Sequence, residues 1–255
     1  SVLARQGEFL WPLSMPPTLP DPDRIPIARF DDTPAGRQRM LYRRGLAHRY
    51  GPRLQTISGI HFSFSFGAPL LETLRGANQP ARAHHDAAYF RTARNFLRHR
   101  WLVVYLTGAS PAVDPTFNAE VEQHLAHVRT CCRRCCAFLD AHRENATSLR
   151  VSRYGYADTA RLARPVSFAS LDAYTRDIRA LLAAPSERFA HLRTADGEAP
   201  LQINDRVLQL ENESYSAIRL KGRVRKGESH LDAMQRDGVE YAEVRILDNN
   251  PLAPH

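Results

Sequence analysis

Near the C-terminal end of this chain, apolar and polar positions alternate strictly every two residues. In VEYAEVRILDNNP (239–251), Ala242, Val244 and Ile246 fall on one side of an extended backbone, with Glu243 and Arg245 on the other. The same alternation recurs in three further stretches. In QTISGIHFSFS (55–65), Ile60, Phe62 and Phe64 oppose His61, Ser63 and Ser65. In LQLENESY (208–215), Leu208 and Leu210 oppose Gln209, Glu211 and Glu213, and in TSLRVS (147–152) Leu149 and Val151 oppose Ser148, Arg150 and Ser152. Four half-buried strands are therefore expected, at 55–65, 147–152, 201–215 and 239–251.

Between them the period lengthens to that of a helix. Helices are expected at about 36–49, over 86–100 and running on into the apolar WLVVYL (101–106), and over 171–182, where Leu171, Tyr174, Ile178 and Leu181 form a stripe that Pro185 stops. A further helix is expected from about 120 to 142, with Val121, Leu125, Val128, Cys132 and Leu139 in helical register. Residues 11–35, with seven prolines, are expected to wrap irregularly, and a polar loop is expected after the strand at 55–65 until about residue 85. Strands and helices intermix without βαβ regularity, so the fold class is α+β with a mainly antiparallel sheet.

Composition narrows this picture only slightly. At 255 residues the chain can bury a sizeable core, and its 43% hydrophobic and 24% charged content is ordinary for a globular protein. No apolar run is long enough to span a bilayer and no signal-peptide pattern opens the chain, so a cytoplasmic location without membrane contact is expected. The net charge of +8 is compatible with a basic anion- or nucleic-acid-binding module, but the arginines are scattered and no recognition motif accompanies them. Anionic small substrates explain the same excess, and no nucleic-acid partner is expected. All four cysteines lie in CCRRCC (131–136), on the helix expected at 120–142. A soft-metal or redox role there is weighed below small buried hydrophobes, because a zinc site normally draws ligands from more than one element.

The polar strand faces carry His, Glu, Arg and Gln, the groups that hold metals and anions. No Walker-type loop, dinucleotide fingerprint, HExxH or nucleophile elbow is present. A bound nucleotide would then be held through metal ions and Arg or Lys side chains presented by the sheet. His61 and Glu243 are the best divalent-ion ligands, with Arg245 beside Glu243 for a phosphate.

Seven ordered blocks, LWPLSMPP (10–17), LYRRGLAHRYG (41–51), QTISGIHFSFS, WLVVYLTGASPA (101–112), ATSLRVSRYGY (146–156), LQLENESY and EYAEVRILDNNP (240–251), resemble the proteobacterial type of glutamate–cysteine ligase, also called γ-glutamylcysteine synthetase. The resemblance implies a glutamine-synthetase-like fold, with a curved, mainly antiparallel sheet forming a funnel and helices outside. It implies ATP as co-substrate, Mg²⁺ (or Mn²⁺) as cofactor, and ligation of the glutamate γ-carboxylate to the cysteine amine through γ-glutamyl phosphate, the first step of glutathione biosynthesis. By position, His61 and Glu243 match metal ligands, Arg245 the residue stabilising the transferred phosphoryl group, and Arg150 a substrate-carboxylate anchor. Tyr42, Leu46, Gln55, Tyr156 and Tyr215 match the lining of the acceptor pocket. Glu211, Glu213 and Lys221 are secondary candidates. Glutamate, cysteine and ATP are the implied partners, and a monomer is expected.

Departures from the family's pattern also matter. An acidic GLERE-like block, a DFxEALLE-like segment and the helical part after the NP motif do not occur, so residues 1–255 are expected to be the central part of a single catalytic domain, incomplete at both ends. An inactive or split form of the ligase is the alternative. Arg153 stands where an acidic residue is usual, Thr107 replaces an aromatic, and Leu220 and Gly222 interrupt IRPKR, leaving Lys221 as the nearest cation to the phosphates.

Overall fold

The alternation at the C-terminal end is realised as a strand, β3 (Tyr241–Leu247). It lies at the centre of a three-stranded sheet, between β1 (Ile60–Phe64) and β2 (Ile218–Lys221). β2 pairs antiparallel with β3, so that Ile218 faces Val244 and Leu220 faces Ala242, while Arg219 lies opposite Glu243 and Lys221 opposite Tyr241. Cross-strand partners share a face. One face of this pair is thus wholly aliphatic, and the other carries Arg219, Lys221, Tyr241, Glu243 and Arg245. The architecture is α+β, in a computed structural model that describes residues 5–75, 80–117, 147–152, 155, 165–192 and 199–252.

The chain divides into two units, one of residues 1–60, 104–157 and 248–255, the other of 61–103 and 158–247. In the second unit α4 (Leu171–Ala183) buries Tyr174, Ile178 and Leu181, the stripe expected from its spacing. Ser170 caps it, its hydroxyl accepting the Ala173 N–H, which satisfies one of the donors a helix start leaves open. α6 (His230–Asp237) contacts both α4 and β2, buries Leu231, Ala233 and Met234, and ends at Gly238 with φ +88°. From α3 (Ala81–Thr107), Phe90 packs edge-on against Tyr174 at 5.7 Å. Tyr89 donates its hydroxyl proton to the Glu240 carbonyl and accepts the Phe66 N–H. Asp86 accepts the Val239 N–H, and burial raises its carboxyl above the usual range.

In the first unit, α1 (Pro34–Tyr50) starts at a Thr33 cap with proline in its first turn and stops at Gly51, φ +85°. Met15, Leu54, Ile57 and Phe117 make the core there, with Leu19, Tyr50, Val113 and Leu149 packed against them. No described helix is long and apolar enough to cross a membrane.

Several expectations are corrected. The stretch at 147–152 is a turn joined to Ser110 by an isolated bridge at Ser148, not a strand. Two of its backbone groups are taken by its own hydroxyls: Ser152 Oγ donates to the Leu149 carbonyl, and Ser148 Oγ accepts the Val151 N–H. The stretch at 201–215 is also no strand, and Glu211–Glu213 form a 3₁₀ turn instead. There the Glu213 carboxylate accepts the Gln209 N–H, closing the backbone on itself. The sheet partner lies further on, in Ile218–Lys221. At 55–65 only the second half is extended, after a 3₁₀ turn at Arg53–Thr56, and Ile60 and Phe62 are 48% and 55% exposed rather than buried. Within the expected loop to residue 85, α2 (Ala68–Leu74) forms. A four-residue helix, α5 (Glu187–Ala190), follows α4. The helix expected at 120–142, with CCRRCC, lies outside the described residues.

Candidate active site

Three of the expected residues meet on the polar face of the sheet. His61 Nδ1 lies 3.2 Å from Glu243 Oε1, and Arg245 Nε lies 3.1 Å from the same oxygen. Strand geometry explains the grouping, because Glu243 and Arg245 are two residues apart on the central strand and β1, carrying His61, is its neighbour. Glu243 and Arg245 side chains are 16% and 15% exposed, whereas His61 is half open to solvent. A single carboxylate oxygen therefore serves an imidazole that is open to solvent and a guanidinium that is mostly buried.

Sequence reasoning passed over Arg219. It lies opposite Glu243, is buried, and donates from Nε and Nη2 to the Ser214 carbonyl and from Nη2 and Nη1 to the Asn212 carbonyl and Oδ1. Arg245 Nη1 reaches the same Ser214 carbonyl at 3.5 Å. The I-R-L-K alternation of 218–221 was the available signal. At four residues it is short, and it runs directly into the basic stretch 221–226. Lys221, a secondary candidate, is 7% exposed and borders a cavity with Tyr174, Arg219 and His230. Burial pulls its ammonium below the usual lysine range, and the Arg219 charge pulls it further.

Glu211 and Glu213 are engaged in structural contacts. Glu211 accepts the His230 and Leu231 N–H groups at the start of α6, and Glu213 closes the 3₁₀ turn. Tyr215 follows that turn and is partly buried.

The remaining candidates belong to the other unit. Arg150 is 4% exposed, its Nη1 3.7 Å from Asp248 Oδ1 and its guanidinium laid directly over Gly59. Asp248, missed in the sequence, accepts the Ala109 N–H at 3.0 Å and the Ser110 hydroxyl at 2.6 Å. Leu46 is fully buried, Tyr42 and Gln55 are partly buried, and Gln55 accepts from Arg43. Tyr156 and Arg153 lie outside the described residues.

Among the described residues no three His, Cys, Asp or Glu side chains cluster as metal ligands. His61 and Glu243 supply two donors of the kind a divalent ion accepts. That fits an open site of the sort Mg²⁺ and Mn²⁺ occupy, completed by water and phosphate oxygens. An α+β protein whose sheet presents an acid–imidazole pair beside a guanidinium has the parts for metal-assisted handling of anionic substrates.

Comparison with known proteins gives that class a family. The model of the family described as glutamate–cysteine ligase matches residues 2–255, and the chain belongs to it. It is 43% identical to a glutamate–cysteine ligase of Clostridium acetobutylicum over 98% of its own length and 52% of that protein. A glutamate–cysteine ligase of Serratia proteamaculans is 39% identical, covering 97% of this chain and 47% of its own. Among solved structures, that of glutamate–cysteine ligase from Francisella tularensis in complex with AMP is similar at TM-score 0.73 and 31% identity, over 93% of this chain and 45% of that one. A bifunctional glutathione synthetase from Pasteurella multocida is similar at TM-score 0.59 and 26% identity, over 94% of this chain and 25% of that one. The chain thus spans about half the length of the curated relatives it matches.

Proposed function

We propose that this chain provides the phosphate-handling sheet of an ATP-dependent glutamate–cysteine ligase and is the central part of that catalytic domain. The meeting of His61, Glu243 and Arg245 on one sheet face carries the reading. Family membership and the AMP-bound relative support it.

In the proposed reaction an oxygen of the glutamate γ-carboxylate attacks the terminal phosphorus of ATP and ADP leaves. The cysteine nitrogen then attacks the carbonyl carbon of the γ-glutamyl phosphate. Inorganic phosphate departs with the bonding pair, and the nitrogen loses a proton. Both partners in the first step are anionic, so the dominant requirement is compensating positive charge held in place beforehand. Arg245, fixed by Glu243 at Nε and aimed by the Ser214 carbonyl, meets the transferred phosphoryl group with its Nη edge. His61 and Glu243 would hold Mg²⁺ or Mn²⁺, which when bound neutralises phosphate charge. Arg150 is proposed as a carboxylate anchor, and Tyr42, Leu46, Gln55, Tyr156 and Tyr215 as lining for the acceptor.

The test is ADP release by this chain carried in a protein of its relatives' full length. Release that needs both glutamate and cysteine is the expected result. ATP turnover indifferent to cysteine overturns the acceptor, and no ATP turnover with any amino acid overturns the ligase.

A further inference from the structure

Asp248 follows β3 directly, and its side chain is wholly buried. Its two oxygens are used differently. Oδ2 accepts the Ser110 hydroxyl at 2.6 Å and the Ala109 N–H at 3.0 Å. Oδ1 accepts no hydrogen bond among the described residues and faces Arg150 Nη1 at 3.7 Å. That separation is too long for a hydrogen bond. Charges buried this far from water are little screened, however, so the pair attracts strongly across it.

The same carboxylate also holds the root of the arginine. Ser110, fixed through Oδ2, is tied to the 147–152 turn: its N–H donates to the Thr147 carbonyl, and its own carbonyl accepts the Leu149 N–H. Its hydroxyl lies 3.2 Å from Ser148 Oγ. Gly59, having no side chain, leaves the slot that the guanidinium fills. All of these residues belong to one unit. Asp248 thus fixes both the backbone that carries Arg150 and the direction of its head group. A buried cation needs such a counter-charge. A pair closed by two parallel hydrogen bonds would occupy the planar edge with which a guanidinium takes a carboxylate, and the open pair at 3.7 Å does not.

We propose that Asp248 is a positioning residue for the reaction, holding Arg150 in the orientation that receives the carboxylate of an amino-acid substrate. This rests on the reading of Arg150 as a carboxylate anchor. Asp248, with no exposed side-chain surface, acts only through Arg150 and Ser110.

Steady-state kinetics on a protein of its relatives' full length carrying this chain test it. Arg150→Met first shows which amino acid's KM depends on the anchor. Asp248→Asn is expected to raise that same KM by about tenfold, the effect of a misdirected group, with kcat and the other KM values within about twofold. Ser110→Ala, which keeps the charge and loosens Oδ2, should raise it less. The double variant Asp248→Asn with Arg150→Met should be no worse than Arg150→Met alone. A lower kcat, every KM raised alike, or a lower melting temperature with KM unchanged makes Asp248 structural and overturns the proposal. Additive effects in the double variant overturn it too. Should Asp248→Asn fail to fold, an unchanged KM in Ser110→Ala has the same force. Arg150→Met with every KM unchanged removes the anchor and the proposal, and leaves the ligase standing. No ADP release by the wild-type protein defeats the ligase reading and this proposal with it.

Discussion

Arg219 gives the sharpest test of how the polar face is built. Replacing it with Met keeps most of the aliphatic stem and removes the guanidinium contacts from this residue to Asn212 and Ser214. The Asn212 groups belong to an exposed residue and turn to water at little cost. The Ser214 carbonyl belongs to a residue only 5% exposed and is left with the 3.5 Å contact from Arg245. Stranding a buried acceptor costs about 1–3 kcal/mol. With a urea slope on the order of 1–3 kcal/mol/M, the unfolding midpoint should fall by roughly 1 M. Urea titration followed by circular dichroism measures this directly. Arg219→Lys, which can still donate to Ser214, should recover part of the loss. An unchanged midpoint for Arg219→Met would show that the clamp contributes nothing, and the account of how Arg245 is aimed would fail with it.

Two further outcomes follow from individual contacts. A Cβ on Gly59 would overlap the buried Arg150 guanidinium, so Gly59→Ala should destabilise the chain by about 1–3 kcal/mol, seen as a lower melting temperature. Hydrogen bonds from Arg236, then from the Arg225 N–H, hold the Glu228 carboxyl down from the usual 4.5 to about 2. Its contribution is therefore complete above about pH 4.5 and lost as pH falls towards about 2. Glu228→Gln should be less stable than wild type at neutral pH, with the gap closing through that window, and a gap independent of pH would contradict the assignment.

The legible parts of this fold are those where local pattern and sheet position agree. β3 is central, with paired strands on both sides, so Ala242, Val244 and Ile246 are buried as their spacing requires. The stripe of α4 is clear because a cap and a proline bracket it. The stretches at 147–152 and 208–215 carry the same alternation, yet their Ser and Glu side chains take the backbone groups a sheet would need. β2 was missed because it is four residues long and merges with the basic stretch 221–226, and its Arg219 and Lys221 are buried against the usual placement of cations. The His61–Glu243–Arg245 grouping was readable because it needs only strand periodicity and one neighbour, whereas Asp248 acts through packing around Arg150 that no spacing reveals.

On the proposed reading, His61 and Glu243 hold one divalent ion between them. Pulsed paramagnetic resonance of Mn²⁺ added to this chain reads the metal's own ligands. A directly bound imidazole nitrogen that disappears in His61→Asn is expected, together with binding weakened about tenfold or more in Glu243→Gln. Mn²⁺ bound with no nitrogen ligand, or with equal affinity in both variants, would contradict it.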